Sequence, residues 1–290
     1  MRIRMNKQSV ILHPTSIDGV FEPGIISGDG LQAVRLMHAD GVLTAWTWDH
    51  IPVSPASLLS GTAEIHPAGF PHGSVPIIEH VQWEPTMQVV DMIPTTFARK
   101  SDTIPRFKRL VGRLLHPGLH QLLHDVFAIP TLFRDYWTAA YDEVDSVGEV
   151  AETAVATAEL IERSLDLYSF EREVGVVFAL LREAGRAWPR QHWQGRYHTL
   201  HCLDQIQCSI DKLREQFPAE ASTLVELMQH ECRLSFEPNT APILERVEAL
   251  ALAYRGHRGE AKIVQVDSPA PDKVIRLDWA RARRRHLADS

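Results

Sequence analysis

The chain changes character near residue 98, and that change limits what it can fold into more than any other feature. Upstream lie short runs rich in β-branched and aromatic residues: Val10-Ile11-Leu12, Leu31–Leu36, Val42–Trp48, Gly61–Ile65 and Ile77–Trp83. Turn formers separate them, so each reads as a strand. The link His38-Ala39-Asp40-Gly41 joins two of them as a short hairpin of Asp-Gly type.

Downstream of Thr95-Thr96-Phe97-Ala98 the apolar residues recur at helical spacing. Phe107, Leu110, Val111 and Leu114 share one face, as do Leu119, Leu122 and Leu123. Further helices are expected at about 146 to 165, 169 to 187, 198 to 216, 219 to 234 and 241 to 255. Pro117, Pro130, Pro189, Pro218, Pro238 and Pro242 fall between or at the start of these segments, where proline is tolerated. The expectation is an α+β chain of two domains: a barrel of OB type over residues 1–98, then an all-α bundle over 99–256. A basic tail, 257–290, ends in Trp279-Ala280-Arg281-Ala282-Arg283-Arg284-Arg285-His286.

Composition narrows the function classes. The 290 residues are 44% apolar, enough to fill a core in each of two domains. A net charge of -7 argues against wholesale wrapping of nucleic acid, so any polyanion must be met locally. Three cysteines, Cys202, Cys208 and Cys232, have no CxxC spacing and fit a reducing compartment. No stretch approaches the roughly 18 apolar residues of a membrane span, and no signal-type apolar run follows the N-terminus. A soluble, cytoplasmic protein with no membrane partner is expected. Phosphate-loop, nucleophile-elbow and dinucleotide-binding patterns do not occur in the sequence.

A barrel followed by a helical region, with the junction Phe107-Lys108-Arg109-Leu110-Val111, His116-Pro117-Gly118-Leu119 and Val126-Phe127, resembles bacterial OB-plus-HD-domain proteins. These are the YhaM-type 3′-to-5′ exonucleases and the HD domain of TraI-type, MobH relaxase-like conjugation proteins. Residues Gly41 to Asp49 resemble that family's strand ending in Trp-Asp. The resemblance implies a bundle holding one or two divalent metals through His and Asp, with a metal-bound water attacking a phosphodiester. The matching positions here carry other letters. The first His position corresponds to Glu152, the His-Asp pair to Arg182-Glu183 with Gly185 and Arg186 keeping the frame, and the final Asp to Tyr254. His198 and His230 match two later His positions, and His198-Thr199-Leu200-His201 sets two imidazoles on one helical face.

If the site is rebuilt, the resemblance offers Glu152, Glu183, His198, His201 and His230 as ligands for Mn, Fe or Zn, with Glu183 and His230 the candidate catalytic groups. If it is not, no cofactor is expected and these are ordinary helix residues, with Arg182 paired to Glu183 or Glu152 in the metal's stead. The barrel offers aromatic and cationic groups for single-stranded DNA or RNA: Arg35, Trp46, Trp48, Phe70 and Trp83. Lys108, Arg109, Arg281, Arg283, Arg284 and Arg285 would add phosphate contacts. Trp46 and Trp48 share a strand face, and barrel core is the expected environment for it. Three functions stand open: a catalytically silent nucleic-acid-binding or scaffolding component of a DNA- or RNA-processing or mobile-element system; a metal-dependent phosphodiesterase or exonuclease with an atypical site; and an adaptor that binds a protein through the barrel or the tail.

Overall fold

The computed structural model describes residues 15–28, 30–52, 58–70, 73–84, 88–141, 147–165, 167–193, 197–229 and 240–259. Five strands come first: β1 (Thr15–Ile26), β2 (Gln32–His38), β3 (Gly41–Thr47), β4 (Leu59–Phe70) and β5 (Gly73–Trp83). They close into a barrel in the order β1-β2-β3-β5-β4, with β4 returning to β1. All pairings are antiparallel except β3 with β5, which is parallel.

Side-chain alternation explains the curl. Along β3, Leu43, Ala45 and Thr47 are buried while Val42 and Thr44 are exposed and Trp46 is half-buried. Phe21, Val34, Leu36, Ala45, Ile65 and Ile78 fill the interior. Register shifts bend the barrel at two places: between Pro23 and Ile26 of β1 against β2, and where β5 passes Glu64 and Ile65 of β4 with Glu79 as its extra residue. Closure also requires a bare backbone at Gly61, where a Cβ would lie 2.3 Å from the Gln82 carbonyl oxygen.

Nine α-helices follow among the described residues: α1 (Thr103–Gly112), α2 (Pro117–Phe127), α3 (Pro130–Asp135), α4 (Glu149–Glu162), α5 (Ser169–Leu181), α6 (His198–Gln205), α7 (Gln207–Gln216), α8 (Pro218–Met228) and α9 (Ala241–Gly259). Helices α4 and α5 lie at the centre. Residues Val150 to Ala158 of α4 are all buried, including Glu152, Thr153 and Thr157. An aromatic cluster of Phe107, Phe127, Tyr136 and Trp137 packs beside them at centroid spacings of 4.7 to 5.8 Å. Its polar edges are satisfied: Tyr136 Oη donates to the Leu180 carbonyl at 2.8 Å and Trp137 Nε1 to the Phe133 carbonyl at 2.9 Å.

Val20 and Met37, a register pair on β1 and β2, point out of the barrel and belong to the core of the helical region. The Leu58 amide donates to the Ala128 carbonyl at 2.7 Å, and Arg134 of α3 pairs with Glu22 of β1. Contacts divide the chain into two units, Met1–Arg255 and Gly256–Ser290. The change of pattern near residue 98 is thus a change of architecture inside one unit.

Several expectations need correction in detail. The hairpin loop is Ala39-Asp40, because His38 pairs directly with Gly41, so Asp40-Gly41 is not its central pair. The helix expected over 169 to 187 ends at Leu181 and resumes as a 3-10 turn at Ala184–Ala187, and the one expected over 198 to 216 breaks at Ile206. Strand β1 escaped a sequence reading because Gly19, Pro23 and Gly24 punctuate it, and Val10-Ile11-Leu12 lies outside the described residues. No helix among the described residues is long and apolar enough to cross a membrane.

A shared core predicts cooperative unfolding. Scanning calorimetry is expected to show one transition for residues 15–255 of the intact chain, and Met37→Asp, which buries an unpaired charge, to cost about 3 kcal/mol or more. Two separated transitions in the unmodified protein would contradict the shared core.

Candidate functional site

The end of α5 and the start of α6 meet around one carboxylate. Leu181 closes α5, Arg182 caps it, and Glu183 precedes the 3-10 turn Ala184–Ala187. Thr199 Oγ1 donates to the Arg182 carbonyl at 3.1 Å, tying α6 to an otherwise open helix end. The approach is close enough to dictate Gly185, since a Cβ there would sit 1.8 Å from the His198 carbonyl oxygen. Gly185 thus has a local steric cause independent of chemistry.

Glu183 is 9% exposed and surrounded by cations. Its Oε2 lies 2.6 Å from Arg186 Nε and 2.8 Å from His198 Nε2, and its Oε1 lies 3.7 Å from Arg182 Nε. Arg186 also donates to the Tyr141 carbonyl at 3.0 Å and stands 5.1 Å over the Tyr141 ring. Arg182 reaches Glu248 of α9 at 3.8 Å. Burial by itself would raise the Glu183 carboxyl, but the hydrogen bonds and charges of His198 and Arg186 outweigh it and hold the group at about 2. It is an ionised carboxylate at the centre of a salt-bridge cluster.

The expected ligand set is only partly brought together. Glu183 and His198 meet. Glu152, buried in α4, pairs with Lys100 instead of joining them. His201, one turn beyond His198, packs edge-on against Trp188 with ring centroids 5.3 Å apart. His230 and the Tyr254 side chain lie outside the described residues. Among the described residues no group of three His, Cys, Asp or Glu is arranged to hold a metal ion. A divalent cation at Glu183 would also meet the permanent charges of Arg182 and Arg186 within 4 Å of the same carboxylate. The cavity beside it, lined by Tyr141, Thr153, Thr157, Arg182 and Glu183, has a volume of about 10 Å³, room for one water molecule. These residues, as arranged, do not fit a hydrolytic metal centre. Nor does the cluster supply a thiol, since burial pushes the Cys202 thiol up to about 12.

The barrel residues divide differently. Trp46 and Trp48 are not core, which corrects the expected environment: inward positions on β3 belong to Leu43, Ala45 and Thr47, and Trp48 is 67% exposed. Arg35 on β2 is on the same outer face, diagonal to Trp46 through the pairs Arg35↔Thr44 and Ala33↔Trp46, and is bound to Glu22 at 3.0 Å. Trp83 stands apart. It lies six residues along β5 from Ile77, the partner of Trp46, or roughly 20 Å at ~3.3 Å per residue, and it covers the barrel end against Phe21. Lys108 is occupied: its Nζ donates to the Asp91 carbonyl at 2.6 Å, and burial lowers its pKa against the pull of Asp91 and Asp40. Arg109 is exposed on α1. The Phe70 side chain and Arg281, Arg283, Arg284 and Arg285 lie outside the described residues. Sequence reasoning missed Tyr141 and Glu248 as partners in the cluster, and Lys100 as the partner of Glu152, because each comes from an element distant in sequence.

Two measurements check this geometry. Because the Glu183 carboxyl is depressed, its stabilisation is fully present above the ordinary value of 4.5 and is lost as pH falls toward about 2. Denaturant titrations down that range should show a loss on the order of 3 kcal/mol, flattened in Glu183→Gln. Gly185→Ala, forcing a methyl against the His198 carbonyl, should cost about 3 kcal/mol in the same assay.

Comparison with known proteins gives no matching family model, no matching curated protein and no matching solved structure.

Proposed function

We propose that the chain is a non-hydrolytic OB-plus-HD-like protein that binds single-stranded nucleic acid on the outer face of its barrel. The observation that carries the reading is the outward placement of Trp46 and Trp48 beside Arg35. Every base has a π-face, so the half-buried Trp46 on β3 and the exposed Trp48 just past its end can each take a base without demanding a sequence, each stack contributing roughly 1 to 3 kcal/mol. The strand order β1-β2-β3-β5-β4 with a parallel β3–β5 pair supports an OB-type barrel, whose β2–β3 face is a recurrent site for oligonucleotides.

The helical region supports the non-hydrolytic half. Where an HD site would place a ligand pair, Arg182 and Arg186 neutralise Glu183, and the cluster joins α5, α6 and α9. The salt bridges do mechanically what a metal would have done, and leave no activated water.

A second reading has one observation in its favour. Ile25 and Ile26 are 82% and 53% exposed at the end of β1, and Ile26 is two strands from Thr47 through Gln32. Together with Trp48 they form an apolar edge that suits a protein partner.

Fluorescence anisotropy with labelled oligo-dT and oligo-U separates the two. Binding that weakens with salt and falls roughly 5- to 100-fold in Trp48→Ala, with unchanged thermal stability, is expected. Absence of binding at low salt, or an unaltered affinity in the variant, removes the nucleic-acid reading and leaves the adaptor.

A further inference from the structure

Helices α1 and α4 enclose a second feature that neither the barrel face nor the Glu183 cluster uses. Arg106 and Arg109 of α1, Arg113 just after it and Arg163 after α4 line a cavity of about 280 Å³ together with Glu159 and Glu162. The two carboxylates are already engaged. Arg106 grips Glu159 with two bonds, Nε at 3.0 Å and Nη2 at 2.6 Å, and Arg113 Nη1 sits 3.2 and 3.3 Å from the two oxygens of Glu162. The Arg109 and Arg163 guanidiniums make no hydrogen bond or ion pair among the described residues, yet both lie near enough to help depress Glu159, whose pKa is lowered first by its Arg106 bond. Four guanidiniums against two carboxylates leave a net charge of two positives on the cavity wall.

We infer that this cavity is an anion site for a diphosphate group, with Arg109 and Arg163 as its two grips. A guanidinium presents parallel N–H donors in a fork that matches two oxygens of one phosphate, so two uncommitted forks match two linked phosphates. The Glu159 and Glu162 pairs hold the neighbouring arginines in place, Asp102 adds an outer contact to Arg106 at 3.7 Å, and the lining keeps a positive excess that opposes a diphosphate's charge. The volume is near the lower end of small-molecule sites, which run from ~300 to 1,000 Å³, and admits a phosphorylated small molecule and not a polypeptide segment. The same chemistry is offered by inorganic pyrophosphate and by a nucleoside diphosphate.

Isothermal titration calorimetry of the full chain at low ionic strength, with sodium pyrophosphate and with ADP, tests the assignment. Saturable binding at one site is expected for at least one of them. Equal affinity assigns the bare diphosphate, and tighter ADP assigns a nucleotide. The double variant Arg109→Gln, Arg163→Gln should weaken binding at least ~10-fold with an unchanged melting temperature, since neither side chain supports the fold through an ion pair. Glu162→Gln, which frees Arg113 from an exposed pair of little structural value, should tighten binding several-fold. Trp48→Ala should leave binding untouched, because the site is separate from the barrel face. No saturable heat with either ligand, an unchanged affinity in the double variant, weaker binding in Glu162→Gln, or a loss in Trp48→Ala overturns the inference.

Discussion

The buried Glu183 carboxylate organises the helical region. Little solvent reaches it, so its charge is met by neighbours, which come from the end of α5, the turn after it and the start of α6. Arg182 extends the cluster to α9, and Arg186 extends it to Tyr141. Removing one partner from such a group leaves an uncompensated charge in a low-dielectric setting, so the cluster is maintained as a whole or not at all. Gly185 follows from the same constraint, because the His198 ring can reach Glu183 only if the backbones of the two segments almost touch.

That arrangement holds helix ends together without a metal ligand set among the described residues. A metal centre and a salt-bridge cluster solve the same mechanical problem, holding several helix ends together at a polar point in an apolar core. They differ in what remains for a reactant. The metal keeps an open position and a polarised water, whereas the cations around Glu183 saturate the carboxylate and reduce the adjoining space to about 10 Å³. The features left open to a ligand are at surfaces: the half-buried Trp46 and exposed Trp48 of the barrel, and the arginine-lined cavity between α1 and α4.

Much of the scaffold was legible in the residues. Leu43 and Ala45 alternate with outward positions, and Phe107, Leu110 and Val111 repeat at helical spacing, so period alone located β3 and α1. The interruptions were not, because they arise from tertiary contacts: α5 stops where Thr199 takes up the Arg182 carbonyl, and β1 persists through Gly19 and Pro23 because β2 and β4 pair with it from both sides. For the candidate site, the Arg182-Glu183 pairing was anticipated from the two letters themselves. The capture of Glu152 by Lys100 was not, as 52 residues separate the two and no local pattern links them. Trp46 and Trp48 were assigned to the wrong side of the strand, since a two-residue period tells that two side chains share a face but not which face is wet.

With Arg182, Arg186 and His198 meeting its charge, Glu183 has no need of a metal ion. Elemental analysis of the purified full-length chain after incubation with excess manganese, iron and zinc and gel filtration tests this most directly. Substoichiometric metal is expected in every case, the same in Glu183→Gln as in the unmodified protein. Stoichiometric metal that is lost on substituting Glu183 or His198 would contradict it.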